Sequence, residues 1–252
     1  MEALLFGSIG SVCETSDLQR HGFNQAFDEH ALDWYWSEDD YRRLLKVTGG
    51  RERIRAFARE DSGLVLDESL VAQVHDRKTE VFNELLGNGG APVRPGVARL
   101  IDGAKQDGLK VGFITTTEHA NLLAIESALG DSFSLSDFDI VTDRLSIEHE
   151  KPSPAVYGYA LAQLGVGANE AIAIEDTESC VASAVDAGVC CIATPHFYST
   201  GQDFDKAFAC LTHLGDSDRM AELLDGNNIV AASGLVTIES LSAALESRQA
   251  AA

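Results

Sequence analysis

The strongest constraint on the fold is a series of short apolar runs separated by helix-patterned segments. The runs cover residues 3–6, 110–114, 138–142, 171–174 and 189–193. Each is too short for a buried helix and is followed, after a turn, by apolar residues at three- and four-residue steps. Strands that read as continuous apolar stretches are buried on both faces, the signature of a parallel sheet covered by helices. The intervening helices are expected at 97–107, 120–129, 154–164 and 181–187. A last strand is expected at 228–231 and a last helix at 238–246, with an Ala-rich end, 248–252, that should fray. The expected fold class is α/β, a doubly wound parallel-sheet core.

One stretch breaks the alternation. Across residues 16–92 strand signals are few and helical spacing dominates: Leu18, Phe23 and Phe27, then Tyr41, Leu44 and Leu45, then Val71, Val74, Lys78, Phe82 and Leu85. The stretch ends at the breaker Gly87-Asn88-Gly89-Gly90. The expected organisation is a helical insert, 16–92, between two pieces of core, 1–15 and 93–252. Ligands of doubly wound sheets bind beyond the C-terminal ends of the strands, and the candidate chemistry falls there.

After the run at 110–114, Thr115-Thr116-Thr117 opens a helix and offers hydroxyls and backbone N–H groups to an anion. Helix capping alone would account for one of them. Glu150-Lys151-Pro152-Ser153-Pro154 sets a cation on a loop fixed by prolines ahead of a helix. A solvated turn is the plainer reading of a Lys-Pro pair taken alone. Glu175-Asp176 closes the run at 171–174. Paired carboxylates suit a hard cation, although acidic residues also favour a helix N-terminus. The first run leads into Gly7-Ser8-Ile9-Gly10-Ser11, and no Asp occurs before Asp17.

In this order the pieces closely resemble the motifs of the haloacid dehalogenase-like (HAD) phosphatases, whose first strand ends in Asp-x-Asp-Gly-Thr. Matched without a gap, Gly7 stands at the position of the nucleophilic Asp and Ile9 at that of the acid/base Asp. Gly10 is kept, and Ser11 replaces the Thr. Other segments resemble the CbbY-type sugar-phosphate phosphatases: Phe23-Asn24-x-Ala26-Phe27, Leu32-Asp33-Trp34-Tyr35-Trp36, Thr48-Gly49-Gly50-Arg51-Glu52-Arg53-Ile54 and His75-x-x-Lys78-Thr79. Arg94-Pro95-Gly96-Val97 and Gln202-Asp203-Phe204, near Leu214-Gly215, continue the match, so that it spans roughly residues 1–215. Gln19 departs from the usual His, and Cys180 from the usual Gly.

The resemblance implies a HAD-like core with an inserted helical cap, a phosphorylated sugar or phosphate-like anion as ligand, and Mg²⁺ as cofactor. It implies phosphate contacts from Thr115, Thr116 and Lys151. Glu14, Tyr41, Gly50, Arg51 and Lys78 would be the loop and cap residues facing the sugar, and Asp176 with Glu175 would be the metal ligands. Solvation would equally explain Glu14 and Lys78, and packing would explain Tyr41. The implied chemistry is attack by the first Asp on phosphorus, with the second Asp as acid and then base.

Gly7 supplies neither nucleophile nor metal ligand, and Ile9 carries no proton. Ser8 should point away by strand alternation, and Ser11 has no evident activating base in this segment. The expectation is a catalytically impaired protein that binds a phosphosugar or regulates a protein partner, with weak or absent Mg²⁺. An unusual active phosphohydrolase and a structural protein with a vestigial pocket are the alternatives. With two carboxylates fewer, the pocket should repel an anion less. Restoring Asp at positions 7 and 9 together should bring back metal-dependent hydrolysis.

The formal charge of −21 argues against nucleic acid and anionic membrane surfaces, and no run approaches the ~18 apolar residues of a membrane span. The N-terminus lacks a secretory pattern, so the expected location is the cytoplasm, or an organelle stroma for a mature form. Five cysteines, Cys13, Cys180, Cys190, Cys191 and Cys210, have no C-x-x-C spacing and read as free thiols. No zinc site is expected from Cys and His spacing.

Overall fold

The computed structural model describes residues 1–252 except Ser8, Thr48, Gly89, Gly90 and Ala252. The expectation for the Ser8 side chain, Thr48 in its quoted motif and the second half of the 87–90 breaker therefore lie outside the described residues. The chain divides into two compact units, Met1–Glu14 with Pro92–Ala252, and Thr15–Ala91.

The chain opens with β1 (Ala3–Phe6) and the one-turn helix α1 (Ile9–Val12). The second unit then contributes α2 (Ser16–Glu29), α3 (Glu38–Leu44), α4 (Gly50–Glu60) and α5 (Glu68–Gly87). The first unit resumes with α6 (Val97–Gln106), β2 (Lys110–Phe113), α7 (His119–Leu129), β3 (Ile140–Val141), α8 (Ala155–Leu164) and β4 (Ala171–Glu175). It ends with α9 (Glu178–Asp186), β5 (Cys190–Ala193), β6 (Ala209–Leu211), β7 (Leu223–Gly226) and α10 (Ile238–Ala251).

The strands form one sheet in the order β3-β2-β1-β4-β5-β6-β7, parallel except for the antiparallel pair β6–β7. β1 lies between β2 and β4, so the strand order reverses there and opens a crevice at the C-terminal strand ends. The ladder runs on into the turn: Gly7 N–H donates to the Ile174 carbonyl (2.9 Å) and Ile114 N–H to that of Phe6 (2.7 Å). Every residue of β1, β4 and β5 is buried, as their continuous apolar sequences require. β4 extends one residue beyond its apolar run and so carries Glu175 into the interior.

Three expectations need correction. No strand forms at 228–231; the seventh strand is Leu223–Gly226, whose residues are all exposed. An edge strand without a buried face leaves no apolar pattern to read. The third strand is only Ile140–Val141: Thr142 N–H still donates to the Phe113 carbonyl (2.9 Å), but its hydroxyl, in place of its carbonyl, accepts the Thr115 N–H (2.9 Å) and the ladder stops. The Ala-rich end does not fray at 248: α10 runs to Ala251, tied by Arg248 to the Gly188 carbonyl (3.2 Å) and by Gln249 to the Asn169 carbonyl (2.6 Å).

The helical unit is built on aromatics. Trp36 is fully buried, with Phe23 and Phe27 at ring-centroid distances of 4.5 and 4.9 Å. The Asn24 amide clamps the Trp36 backbone from both sides, donating to its carbonyl (3.0 Å) and accepting its N–H (2.7 Å). Ser37 and Asp40 form a reciprocal capping box that starts α3. Among the described residues no helix is long and apolar enough to cross a membrane.

Candidate functional site

The turn after β1 has no side chain at Gly7, and its neighbours fill the space. A Cβ built on Gly7 would lie 2.0 Å from Glu175 Oε1 and 2.3 Å from the Tyr157 hydroxyl oxygen. Glu175, fully buried at the end of β4, turns its carboxylate towards β1. Its Oε1 accepts from Lys151 Nζ (2.6 Å) and from the Tyr157 hydroxyl (2.6 Å). Lys151 Nζ also donates to the Ile114 carbonyl (2.9 Å) and to that of Gly7. An ammonium has three protons, and all three are therefore committed. Burial alone would pull the Lys151 ammonium down, but the adjacent Glu175 carboxylate holds its proton affinity above the ordinary value. Burial also keeps the Tyr157 phenol protonated, as a donor must be.

Glu175 Oε2, by contrast, is buried without a hydrogen-bond partner. Asp176 lies against Gly10, where an added Cβ would come within 1.9 Å of its Oδ2. The same oxygen is 3.3 Å from His196 Nε2, and the other ring nitrogen, Nδ1, pairs with Glu14. Burial opposes charge on His196, but the hydrogen bonds of Asp176 and Glu14 outweigh it and raise its pKa to about 9. An imidazolium thus stands beside Asp176 at neutral pH. Ligand atoms of Glu175, Asp176 and Cys180, one from each residue, lie within 4.8 Å of one another.

Thr115 is buried, and its N–H is taken by the Thr142 hydroxyl (2.9 Å), which in turn donates to the Thr115 carbonyl (2.7 Å). The Thr117 N–H donates to Thr115 Oγ1 (3.2 Å). Two of the three backbone donors read as an anion cradle are therefore already satisfied, and Thr116 between them is half-buried. Arg94 likewise has no spare terminal donor: its two Nη atoms bond the carbonyls of Gly10, Thr194, Pro195 and Thr212 at 2.6–3.2 Å, so that it fixes the loops around the site. A cavity of about 620 Å³ opens beside Glu14, Arg94 and His196, but Gly7, Thr115 and Lys151 do not line it.

The remaining candidates belong to the helical unit. Tyr41 is packed against Phe23 and Trp36, with the Arg53 guanidinium 5.9 Å from its ring centre. Gly50 starts α4 where a Cβ would approach His75 Nε2 to 2.6 Å. Arg51 is exposed and pairs with Asp76 (3.2 Å). Lys78 is buried, 5.1 Å from the ring centres of both Phe23 and Phe82, and donates to Gln19 Oε1 (2.7 Å). Desolvation, aided by nearby Arg53, lowers its pKa to about 7. Only part of the Lys78 population is therefore charged at neutral pH.

The sheet thus brings Gly7, Thr115, Lys151, Glu175 and Asp176 together, with Glu14 reaching Asp176 through His196. Sequence reasoning missed His196, Tyr157 and Thr142. Thr142 and His196 follow strand ends and Tyr157 lies in the first turn of α8, but no spacing rule distinguishes them from neighbouring polar residues.

Residues 3–188 match the family model for haloacid dehalogenase-like hydrolases. The chain belongs to that family. It is 38% identical over 207 residues to Protein CbbY of Rhodobacter capsulatus, which covers 82% of this chain and 91% of the relative. The CBBY-like protein of Arabidopsis thaliana is 34% identical, covering 85% of this chain and 69% of the plant protein. CbbY from Rhodobacter sphaeroides in complex with phosphate superposes with a TM-score of 0.75 at 36% identity, covering 84% of this chain and 94% of that one. A mutant of the same protein in complex with xylulose-(1,5)bisphosphate gives 0.76 at 35%, covering 86% and 96%. The chain is thus a CbbY-type member of the HAD family, whose phosphatases generally use Mg²⁺.

The residues present here do not fit a magnesium ion. Mg²⁺ requires near-octahedral oxygen coordination. Gly7 offers no carboxylate, Glu175 Oε1 is committed to Lys151 and Tyr157, and Asp176 Oδ2 is already 3.3 Å from His196 Nε2.

Proposed function

We propose that this chain is a non-hydrolysing CbbY-type protein that binds phosphorylated sugars without turning them over. The supporting observation is the Glu175 carboxylate lodged beside Gly7, on Lys151 and Tyr157. In this reading Glu175 acts as an internal anion. A phosphate group reaches Lys151 only by displacing it, and binding is weaker than an open pocket would give. Phosphoryl transfer is absent because position 7 has no nucleophile and position 9 no proton carrier.

The competing reading, an interaction protein with a vestigial pocket, draws support from the same saturation of Lys151. Thermal stabilisation separates the two. Xylulose 1,5-bisphosphate and inorganic phosphate should raise the melting temperature of the wild type slightly. Glu175→Gln releases roughly 1.5–3 kcal/mol of charged hydrogen bond from Lys151, so it should tighten binding about tenfold or more. If neither protein is stabilised by either ligand, the phosphosugar reading fails and the interaction reading stands.

A further inference from the structure

We propose that the cavity of about 620 Å³ beside Arg94 is a second ligand site, for a zwitterionic α-amino acid with an apolar side chain. Its lining comes wholly from the first unit. Gly7, Thr115, Lys151, Glu175 and Asp176 are not part of that lining, so the site is independent of phosphosugar binding in the crevice. The volume lies within the ~300–1,000 Å³ of small-molecule pockets, where apolar walls carry a few placed polar groups.

Two charges of opposite sign decide the class of ligand. Asp218 and Arg219 both line the cavity, and neither side chain has a hydrogen bond or ion pair among the described residues, even with the other. Their turn is fixed: Asp216 N–H donates to the Arg219 carbonyl (2.8 Å) and Arg219 N–H to that of Asp216 (3.1 Å). Arg99 braces the chain just before it through the carbonyls of Leu214 (3.1 Å) and Gly215 (2.7 Å). His213, on the same lining, accepts the Gly215 N–H at Nδ1 (3.1 Å). Desolvation, with Arg219 and Arg94 nearby, lowers its pKa, so the neutral ring carries its proton on Nε2. An α-carboxylate would take the guanidinium fork of Arg219 and this N–H. The α-ammonium would take the Asp218 carboxylate.

The rest of the ligand is apolar because the cavity wall is. Phe197 and Leu224 line it while 52% and 54% exposed, so a bound side chain would cover apolar surface now left in water. A phosphate dianion suits the site poorly. The carboxylates of Glu14, Asp216 and Asp218 all border the cavity, and the Nη atoms of Arg94 are committed to backbone carbonyls. A zwitterion adds no net charge beside them.

Calorimetric titration of the full-length chain with L-phenylalanine tests this. Binding should be saturable, and excess inorganic phosphate should not compete with it. Phenethylamine lacks the carboxylate and 3-phenylpropionate lacks the ammonium. Each should bind at least ~10-fold more weakly, as the loss of one charged hydrogen-bonded contact requires. Arg219→Gln and Asp218→Asn should each weaken L-phenylalanine by a similar factor. Neither should lower the melting temperature of the unliganded chain, because both side chains are exposed and unpaired. No saturable binding, equal binding of the two single-charge analogues, or unchanged affinity in both variants overturns the proposal. So does binding of adenosine in place of the amino acid, which would make the cavity a nucleoside site.

Discussion

Lys151→Ala is expected to destabilise the core unit by about 3–5 kcal/mol, the usual cost of breaking a buried ion pair from one side. The substitution strands the Glu175 carboxylate, which is fully buried and would keep only the Tyr157 hydroxyl on Oε1. It also releases the Ile114 and Gly7 carbonyls at the strand ends. Both tryptophans, Trp34 and Trp36, lie in the helical unit, so their fluorescence would report the wrong part of the molecule. Amide hydrogen exchange of β1 and β4 reads the loss directly. Lys151→Met combined with Glu175→Leu should recover most of it, because an apolar pair carries no desolvation cost. A loss below about 1 kcal/mol for Lys151→Ala would mean that the pair is solvated rather than buried.

The largest expected effect on activity comes from Gly7→Asp combined with Ile9→Asp. The sequence alone suggests that two carboxylates complete an otherwise intact site. The structure adds a condition: the new side chain must expel Glu175 from Lys151, since its Cβ would lie 2.0 Å from Glu175 Oε1 and 2.3 Å from the Tyr157 oxygen. Glu175 sits at the end of a flexible side chain and can turn outward, where it would join Asp176 and the introduced carboxylate around a metal. Without Mg²⁺ the double variant should therefore melt below the wild type, through repulsion among carboxylates. Added Mg²⁺ should restore stability and bring phosphate release at least ~10²-fold above the wild-type background. Neither single substitution should do this, because each lacks the other's role. A folded double variant that stays inactive across a sugar-phosphate panel would show that Tyr157 and Glu175 do not yield.

The fold was legible wherever burial is two-sided. Residues 3–6, 171–174 and 189–193 are continuous apolar runs because both faces of those strands are covered. Leu223–Gly226 was not, because an exposed edge strand is under no such pressure. At the site, the spacing of Gly7, Thr115, Lys151 and Glu175-Asp176 pointed to one crevice, and the sheet assembles it. The direction of the Glu175 side chain could not be read. It depends on space left by an absent side chain, on a lysine 24 positions earlier in the chain and on a tyrosine 18 earlier. His196 was equally silent, since its raised pKa arises from Asp176 and Glu14, which are distant in sequence. Of the backbone donors expected to be free at the threonine turn, that of Thr115 is taken by Thr142, a contact between neighbouring strands that no local pattern encodes, and that of Thr117 by Thr115 Oγ1.

Phosphate release by the wild-type chain is the measurement closest to the central claim. With enzyme in excess over xylulose 1,5-bisphosphate or an aryl phosphate, and Mg²⁺ present, release should not exceed that from a heat-inactivated sample. Chelator should make no difference. Magnesium-dependent turnover in the ordinary enzyme range, ~1–10³ per second, abolished by chelator, would contradict the account. It would mean that some group other than the missing carboxylates at positions 7 and 9 attacks phosphorus.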